Sequence, residues 1–537
     1  MNVRLTFDIF SSMSFISRLY FSSPAAGLAL ALLSALCLVV SIPTIDWWPF
    51  AWIAFVPVMV ALYDLMKTGS LWRVYTIALT FSFFTSVGKV YWIAETVMSY
   101  GGLNLILGVF SMAVVASLLA LYLFVFCIFV ARADWLHFAF PFLTAALWIA
   151  LEYIQTYLFT GFPWELLGYS QYRVLPVIQI ARFTGVYGVG FLVMLVNATL
   201  AMVFIAIREG RNWRGPAFAM SLTSFLMISV TGYGWWTLSR VHRLEGQTQP
   251  VRIAVVQGNI EQGMKWSEAI LQKTVDIYAD LTRSTLAERP AFIVFPETAM
   301  TFYLKSPVYQ AFTDQVKQLV DEAGVPILTG ALGYRSGERA IYNSAFLLSP
   351  GRGIVAQYSK MHLVPFGEYL PMPTLFYWLS GLTADIGSLT PGDKLTIMPL
   401  KEHDMRVGTV ICYESIFPVL ARQFALNGAN VLVVMTNDAW FGTSTAPMQH
   451  FSMAVLRAVE NGMPIIRAAN TGISGYISAT GRVYGQTPLM ATTTTIGQIY
   501  PSHDTATVYT TYGDIFAMVC CVLAMMAVVV AGRRKSG

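Results

Sequence analysis

Three segments of this sequence place a chemically reactive side chain directly after an apolar, strand-like run. Glu297 lies in "AFIVFPET", Lys360 ends "GIVAQYSK", and Cys412 follows "MRVGTVI". A thiol needs a base to take its proton, and a nearby cation stabilises the thiolate. Glutamate supplies such a base, and a lysine ammonium can also stabilise a tetrahedral oxyanion. The three residues together predict nucleophilic catalysis by Cys412, with Glu297 as the base and Lys360 as the cation.

Cys412 differs from the other cysteines in its surroundings. Four of the five cysteines lie within long apolar segments, where cysteine packs as a small hydrophobic residue; they are Cys37, Cys127, Cys520 and Cys521. The sequence contains no CxxC, HExxH, GxSxG or P-loop motif. The run "KEHD" at 401–404 collects metal-binding residue types, but its place before a strand indicates a surface bend. We therefore expect neither a metal nor a cofactor.

The segment around the three reactive residues alternates between strand and helix patterns. Short runs such as "VRIAVVQGNI", "VPILTGAL" and "NVLVVMTNDAW" are typical of buried strands, and residues 267–287, 308–322, 415–427 and 446–462 have helical spacing. Such alternation predicts an α/β layered domain with the helices outside and the sheets inside. A rigid sheet can direct side chains from several strand ends to one point, which is where the chemistry is expected.

The composition indicates a membrane protein. Hydrophobic residues make up 56% of the chain and charged residues 12%, against about 45–50% and about 25% in soluble domains. Eight apolar runs have lengths near the roughly 20 residues that cross a bilayer; they are residues 25–43, 49–66, 74–95, 103–131, 138–158, 183–206, 217–238 and 513–531. The sequence therefore predicts a membrane domain with seven transmembrane helices at 1–244, a domain outside the bilayer at 245–508, and an eighth helix with a basic tail at 509–537.

Basic residues are concentrated in alternate loops of the predicted membrane domain. They include Lys67, Arg73, Arg132, the 208–214 loop and the tail at 533–535. The positive-inside bias then places both termini in the cytoplasm and the 245–508 domain on the outer side. Because these loops account for much of the net charge of +5, that charge does not indicate nucleic acid binding.

Several motifs carry a resemblance to known enzymes. "FPET", "YSKMHLVPFGEY" and "CYES" resemble the Glu-Lys-Cys triad segments of the nitrilase, or carbon–nitrogen hydrolase, superfamily, and "RAVENGMPIIRAANTG" at 457–472 is similar to its downstream helix and strand. The whole chain resembles the apolipoprotein N-acyltransferase family, since "GFPWELLGYSQ" at 161–171 and "KWSE" at 265–268 are similar to further motifs of that family. The resemblance implies a multi-pass α-helical membrane domain of eight transmembrane helices that carries a nitrilase-like, four-layer αββα sandwich.

The resemblance also implies an activity. The family transfers an acyl chain from a phospholipid donor to the N-terminal α-amino group of a diacylated apolipoprotein, the last step of lipoprotein maturation at the bacterial inner membrane. Cys412 would form a thioester with the acyl chain, while Glu297 moves the protons and Lys360 stabilises the oxyanion. The implied partners are the phospholipid, the apolipoprotein and the bilayer, and we expect a monomer.

Further residues support the triad by the same resemblance. Glu368 is a second carboxylate near Lys360, and Tyr413 and Glu414 match residues that the family requires. Glu414 could orient either Lys360 or the backbone donors near Cys412, and the sequence does not choose between these roles.

Weaker correspondences involve two further residues and one segment. Trp266 and Asn343 match family positions, although a core indole and a turn amide would explain them equally well. Residues 366–392 are rich in aromatic and aliphatic side chains, including Trp378. This stretch predicts an arm that dips into the outer leaflet and contacts the acyl chains, with a helix packed on the domain as the alternative.

Two other functions are compatible with parts of the sequence. A membrane-tethered amidase or hydrolase would use the same triad and pass the acyl group to water, although a small soluble amide needs no eight-helix anchor. A transporter or scaffold could bind lipoproteins without chemistry, but it would not require an intact triad of Glu297, Lys360 and Cys412.

Overall fold

The computed structural model describes residues 23–536 except 44, 103, 212, 262–267, 335–339, 373, 375–388 and 503–505. Up to residue 245 the described chain is helical. Its α-helices are α1 (Pro24–Val40), α2 (Val56–Lys67), α3 (Leu71–Val90), α4 (Trp92–Gly101), α5 (Leu105–Ala131), α6 (Phe140–Tyr157), the short α7 (Leu175–Ile178) and α8 (Ala181–Thr184), α9 (Val186–Glu209) and α10 (Arg214–Glu245).

The helix boundaries follow capping residues in the sequence. The Ser23 hydroxyl accepts the backbone N–H of Ala26 at 3.2 Å and begins α1, and the Asn104 side chain accepts the N–H of Leu107 at 3.1 Å and begins α5. Gly210 ends α9 with φ +60°, a conformation that glycine adopts without strain. The ends of these helices are therefore set by capping residues and not by the apolar runs alone.

The predicted number of eight membrane helices is wrong when the helices are judged by length and apolarity. In the part of the chain that the structure describes, four stretches are long and apolar enough to cross a membrane: 48–67, 105–131, 186–209 and 214–245. A fifth arises if α3 and α4, which meet at an angle of 47°, count as one broken span. The runs at each end yield shorter apolar helices, Pro24–Val40 and Ile515–Val530. An apolar run in the sequence thus does not fix the length or straightness of the helix that it forms.

Beyond residue 250 the chain alternates strands and helices. The strands are β1 (Val251–Gln257), β2 (Phe292–Val294), β3 (Met300–Tyr303), β4 (Ile327–Tyr334), β5 (Ile341–Ser349), β6 (Gly353–Ser359), β7 (Met398–Leu400), β8 (Met405–Ile411), β9 (Val431–Thr436), β10 (Ile465–Ala469), β11 (Gly475–Ile477), β12 (Val483–Tyr484) and β13 (Thr493–Ile499). The helices are α11 (Glu268–Thr285), α12 (Gln310–Ala323), α13 (Pro418–Leu426), α14 (Ala446–Asn461), α15 (Val508–Tyr512) and α16 (Ile515–Ser536).

The strands form two sheets that pack face to face. One sheet has the order β13-β1-β2-β4-β5-β6, with β3 beside β4, and the other has the order β12-β11-β10-β9-β8-β7. Alternate residues of β1 face opposite ways, as a strand requires. Ala254 and Val256 join a core with α11 and α12, whereas Ile253 and Val255 join the core that contains the second sheet. The alternation in β1 places helices on one face of the first sheet and the second sheet on its other face. Because α13 and α14 cover the outer face of the second sheet, the layers have the order αββα.

A buried ion pair lies at the junction between the helical part and the α/β part. Arg457 and Glu460 on α14 are both fully buried, and Arg457 donates to Glu460 Oε1 at 2.7 Å. Glu460 Oε1 also accepts the backbone N–H of Val186, at the start of α9, at 2.9 Å. Arg457 donates in addition to the carbonyl of Ile416 at 3.1 Å. The pair therefore connects the first turn of α9, in the helical part, to the chain just after Cys412.

Arg457→Met should destabilise the protein by about 3–5 kcal/mol, because it leaves the buried Glu460 carboxylate without its countercharge. Unfolding of the purified protein in detergent by heat or denaturant measures the change. Arg283→Met is the matched control, since Arg283 pairs with Glu322 on the exposed surface and such pairs contribute little. Equal stability of the two variants would contradict a structural role for the junction pair.

Candidate active site

Glu297 lies just past the end of β2 and is held by an amide on each oxygen. Its Oε1 accepts from Asn343 Nδ2 at 2.7 Å, and its Oε2 accepts from the backbone N–H of Asn437 at 2.8 Å. The turn is tight, because Thr298 has φ +44°. A Cβ added to Gly330 on β4 would lie 2.4 Å from the Thr298 nitrogen. Glycine at 330 therefore lets β4 pass against the turn that carries Glu297.

Lys360 follows β6 and points its ammonium between two carboxylates. Its side chain is 1% exposed. Nζ donates to Glu368 at 2.8 Å and lies 3.7 Å from Glu297 Oε1. Glu368 also accepts the backbone N–H of Val364 at 2.8 Å and Asn343 Nδ2 at 3.2 Å. Asn343, on the neighbouring strand β5, therefore donates to both carboxylates and keeps them at a fixed separation.

These pairings keep Lys360 positively charged. Burial alone favours the neutral amine, but the Glu368 and Glu297 carboxylates outweigh burial and raise the pKa of Lys360 well above its usual value. A desolvated ammonium in a fixed place is well suited to stabilise an oxyanion.

Cys412 lies where β8 passes into the 3₁₀ turn Cys412–Ile416. Its φ is +53°, in the left-handed region that residues other than glycine rarely adopt. Burial and then the Glu297 carboxylate raise the pKa of the Cys412 thiol well above its usual value, while Lys360 lowers it. The resting thiol therefore keeps its proton at neutral pH. This charge balance favours deprotonation by Glu297 during attack over a thiolate that Lys360 holds in advance.

Glu414 connects the chain after Lys360 with the strand before Cys412. Its carboxylate accepts four hydrogen bonds: from the N–H groups of Met361 (2.6 Å), His362 (3.1 Å) and Ile411 (2.7 Å) and from the hydroxyl of Tyr358 (2.8 Å). Burial raises the pKa of Glu414 to about 6, against the effect of the backbone donors. Of the two roles that the sequence left open, these contacts favour orientation of the backbone over direct pairing with Lys360.

Tyr413 attaches the turn at Cys412 to the helical part of the molecule. Its hydroxyl donates to the carbonyl of Gly161 at 3.1 Å, and its ring packs against His362 and Phe417. Gly161 has φ +74°, and an added Cβ would lie 2.1 Å from the carbonyl oxygen of Thr156. The candidate site therefore lies at the junction of the two parts of the chain.

A buried polar network that the sequence patterns did not predict lies beside Cys412. Asp438, His450 and Arg467 are each at most 1% exposed. Asp438 accepts from Arg467 at 2.8 Å and contacts His450 Nδ1 at 3.0 Å. Burial opposes ionisation, but Arg467 and His450 lower the pKa of Asp438 to about 2. One signal was available: Asp438 follows β9, which runs parallel to β8, so both strands deliver their next residues to one edge of the sheet.

Two of the predicted site residues lie outside the described residues. Trp266 is in 262–267 and Trp378 is in 375–388, so their roles stay predictions, as does the arm for most of its length. The structure brings the remaining candidates together: Glu297, Lys360, Cys412, Glu368, Tyr413, Glu414 and Asn343.

Two family models match the sequence. The carbon–nitrogen hydrolase model matches residues 252–507, and the model of the apolipoprotein N-acyltransferase N-terminal domain matches residues 34–199. The first covers the α/β part with every candidate site residue, and the second covers most of the helices that precede it.

Two proteins named apolipoprotein N-acyltransferase are similar to this chain over nearly its full length. The protein of Geobacter metallireducens is 38% identical over 520 residues, which are 96% of each chain. The protein of Chlorobaculum tepidum is 32% identical over 534 residues, 94% of this chain and 96% of that protein. Among solved structures, an amidase of the nitrilase superfamily from Nesterenkonia AN1 is 17% identical, with a TM-score of 0.38, over 50% of this chain and 97% of that one. The similarity to the two acyltransferases extends through both parts of the molecule.

Asn343→Asp should slow acylation of Cys412 by a p-nitrophenyl ester by about 100-fold, within the range that general-base catalysis contributes. The variant replaces a shared donor by a third carboxylate, which cannot donate to Glu297 and Glu368 and whose charge repels both. Asn343→Ala, which removes the amide without adding charge, should lower the rate less. An acylation rate in Asn343→Asp equal to that of the unaltered protein would contradict the bridging role.

Proposed function

The chain belongs to the apolipoprotein N-acyltransferase family, as its motifs indicated, and from this premise we propose how its own residues perform N-acylation. The enzyme moves an acyl chain from a phospholipid to the α-amino group of the diacylglyceryl-cysteine of an apolipoprotein. A thioester on Cys412 is the intermediate. The observation that carries the proposal is the ammonium of Lys360, buried 2.8 Å from Glu368 and 3.7 Å from Glu297, beside a strained cysteine whose thiol both Glu297 and Lys360 influence.

The first half-reaction forms the thioester. Glu297 takes the proton of the Cys412 thiol while sulfur attacks the ester carbonyl of the phospholipid. The carbonyl oxygen becomes negatively charged, and the Lys360 ammonium and the backbone N–H of Tyr413 stabilise it. The tetrahedral intermediate then breaks its ester C–O bond, and Glu297 returns the proton to the leaving oxygen. A lysophospholipid departs and the acyl group stays on sulfur.

The second half-reaction forms the amide. The free α-amine of the apolipoprotein attacks the thioester carbonyl, and Glu297 takes a proton from the nitrogen. The C–S bond breaks, and the Cys412 sulfur regains a proton. An amide is more stable than a thioester, so the transfer proceeds downhill. One covalent intermediate thus lets two lipid substrates use the same site in turn.

The neighbours of the triad support these roles. Glu368 makes the close contact with Lys360 and maintains its charge, while Glu297 lies 3.7 Å from the ammonium. The high pKa of the Cys412 thiol makes a base necessary in the first step. Two amides donate to Glu297 and fix the direction of its carboxylate.

The position of the site suits lipid substrates. Tyr413 contacts the loop at Gly161. The reactive cysteine therefore lies next to the helical part of the chain and not at a remote face of the α/β domain. A hydrolase acting on a small soluble amide would gain nothing from this position. All of the proposed groups come from one chain, which supports action as a monomer.

We propose an orientation in the bacterial inner membrane that the two ends of the helical part support. Lys67, at the end of α2, pairs with Glu209, at the end of α9, and the opposite end of α9 meets Glu460 of the α/β domain. Lys67 therefore lies at the end of the helical part away from the catalytic domain. The positive-inside bias favours the cytoplasm for this end, and the catalytic domain then faces the periplasm.

Incubation with phospholipid alone should accumulate an acyl thioester on Cys412. The adduct is detected by intact mass and is removed by neutral hydroxylamine, which cleaves thioesters. A diacylglyceryl peptide with a free α-amine should discharge it into an amide, whereas the N-acetylated peptide should not, because its nitrogen is no longer nucleophilic. Cys412→Ala should form no adduct.

Release of free fatty acid at one rate with and without the acceptor peptide would instead identify the membrane-tethered hydrolase. Substantial transfer by Cys412→Ala would exclude the thioester altogether. The first result rejects the transferase and the second rejects the nucleophile, so the two failures are distinguishable.

Accessibility of single introduced cysteines tests the orientation. In sealed right-side-out vesicles of a Cys412→Ala background, a membrane-impermeant maleimide should label Lys317→Cys on α12 and should not label Arg211→Cys. Inverted vesicles should reverse the pattern. Labelling of Arg211→Cys in right-side-out vesicles would contradict the proposed orientation.

A further inference from the structure

A histidine that takes no part in the proposed proton transfers lies against the backbone of the nucleophile. His450, on α14, is 1% exposed. Its Nε2 is 3.1 Å from the carbonyl oxygen of Cys412 and 2.7 Å from Ser415 Oγ. Ser415 donates to the same carbonyl at 2.8 Å. The Cys412 carbonyl is therefore held from two sides inside the protein.

The far side of the imidazole is fixed by charged groups. Nδ1 lies 3.0 Å from Asp438 Oδ1 and 3.2 Å from Arg467 Nη2. A carbonyl oxygen can only accept, so the contact of Nε2 with Cys412 requires a proton on Nε2, and in a neutral imidazole Nδ1 then accepts from Arg467. Arg467, which also donates to Asp438, orients the ring so that the Nε2 proton faces the carbonyl of Cys412.

Asp438 does not depend on His450 for its own position. It accepts from Thr436 Oγ1 at 2.8 Å and from Arg467 at 2.8 Å. Gly472 packs so closely that an added Cβ would lie 2.1 Å from Asp438 Oδ2. Asp438 is thus held in place without the histidine, and it keeps Arg467 in position as the donor to His450 Nδ1.

A hydrogen bond to the Cys412 carbonyl controls the next N–H group. The peptide unit between Cys412 and Tyr413 is planar and trans, so its C=O and N–H point in opposite directions. Holding the carbonyl toward His450 fixes the Tyr413 N–H on the other side. It also maintains the left-handed φ of +53° at Cys412, a strained conformation that persists only where its surroundings enforce it.

We propose that His450, directed by Arg467 and Asp438, is a positioning residue that aims the Cys412–Tyr413 peptide plane and thereby the N–H that stabilises the oxyanion. The proposal rests on the proposed function of Cys412 as acyl carrier. It assigns to His450 an effect on the rate of acyl transfer and none on substrate binding.

Two amide variants of His450 separate this role from a purely structural one. Glutamine places a donor near the position of Nε2, whereas asparagine keeps a polar group near the position of Nδ1 and loses the contact with Cys412. His450→Asn should lower kcat by about 100-fold, the cost of removing one oxyanion donor, with KM for phospholipid little changed. His450→Gln should restore most of the lost rate. Thermal unfolding in detergent should show both variants folded and similarly stable.

Alkylation of Cys412 by iodoacetamide supplies a reaction without an oxyanion. Its rate should be nearly the same in His450→Asn and the unaltered protein, while formation of the acyl thioester is slow. Equal rates of acyl transfer in the two variants, or equal losses in acylation and alkylation, would overturn the proposal. Cys412→Ala measured in parallel distinguishes this failure from failure of the thioester mechanism, because transfer would then persist without the cysteine.

Discussion

A positive charge that is removed from water must be paired where it lies, and the geometry of this site depends on that constraint. Burying an unpaired ammonium costs several kcal/mol of free energy even after the protein has relaxed around it. Lys360 meets the cost with two carboxylates, of which Glu368 makes the close contact. The second carboxylate, Glu297, lies farther from the ammonium, at 3.7 Å, as its proposed role as the base requires. Asn343 prevents the two carboxylates from separating or collapsing together, since one amide group donates to both.

The same constraint explains why the site is built on sheets. Lys360 follows β6, Asn343 lies on β5, Glu297 follows β2 and Cys412 follows β8, so the charges come from strands of two sheets. Packing between the sheets sets the separation of these strands, and Glu414 connects the last residues of one sheet with the other. The strain at Cys412 persists because His450 and Ser415 hold its carbonyl from two sides.

The sequence predicted which reactive residues lie together better than it predicted the membrane domain. Reactive residues at strand ends are local signals, since Glu297, Lys360 and Cys412 each follow an apolar run, and the structure brings the three together. The number of membrane helices was overestimated because hydropathy does not report the bend between α3 and α4 or where a helix ends. The network of Asp438, His450 and Arg467 was missed because its members are distant in sequence, and each alone is typical of a buried structural residue.

The contact of Arg457 with both Ile416 and Glu460 has a practical consequence for anyone who wishes to study the α/β domain alone. Cutting the chain before β1 and after β13 would separate Glu460 from the amide of Val186, and Tyr413 from its acceptor on Gly161. The excised fragment would expose to solvent a surface that is buried in the whole chain. The turn that carries Cys412 would lie at the edge of this exposed surface. The catalytic domain and the helices that anchor it are therefore structurally dependent on each other. Activity requires a lipid or detergent environment in which both parts are present.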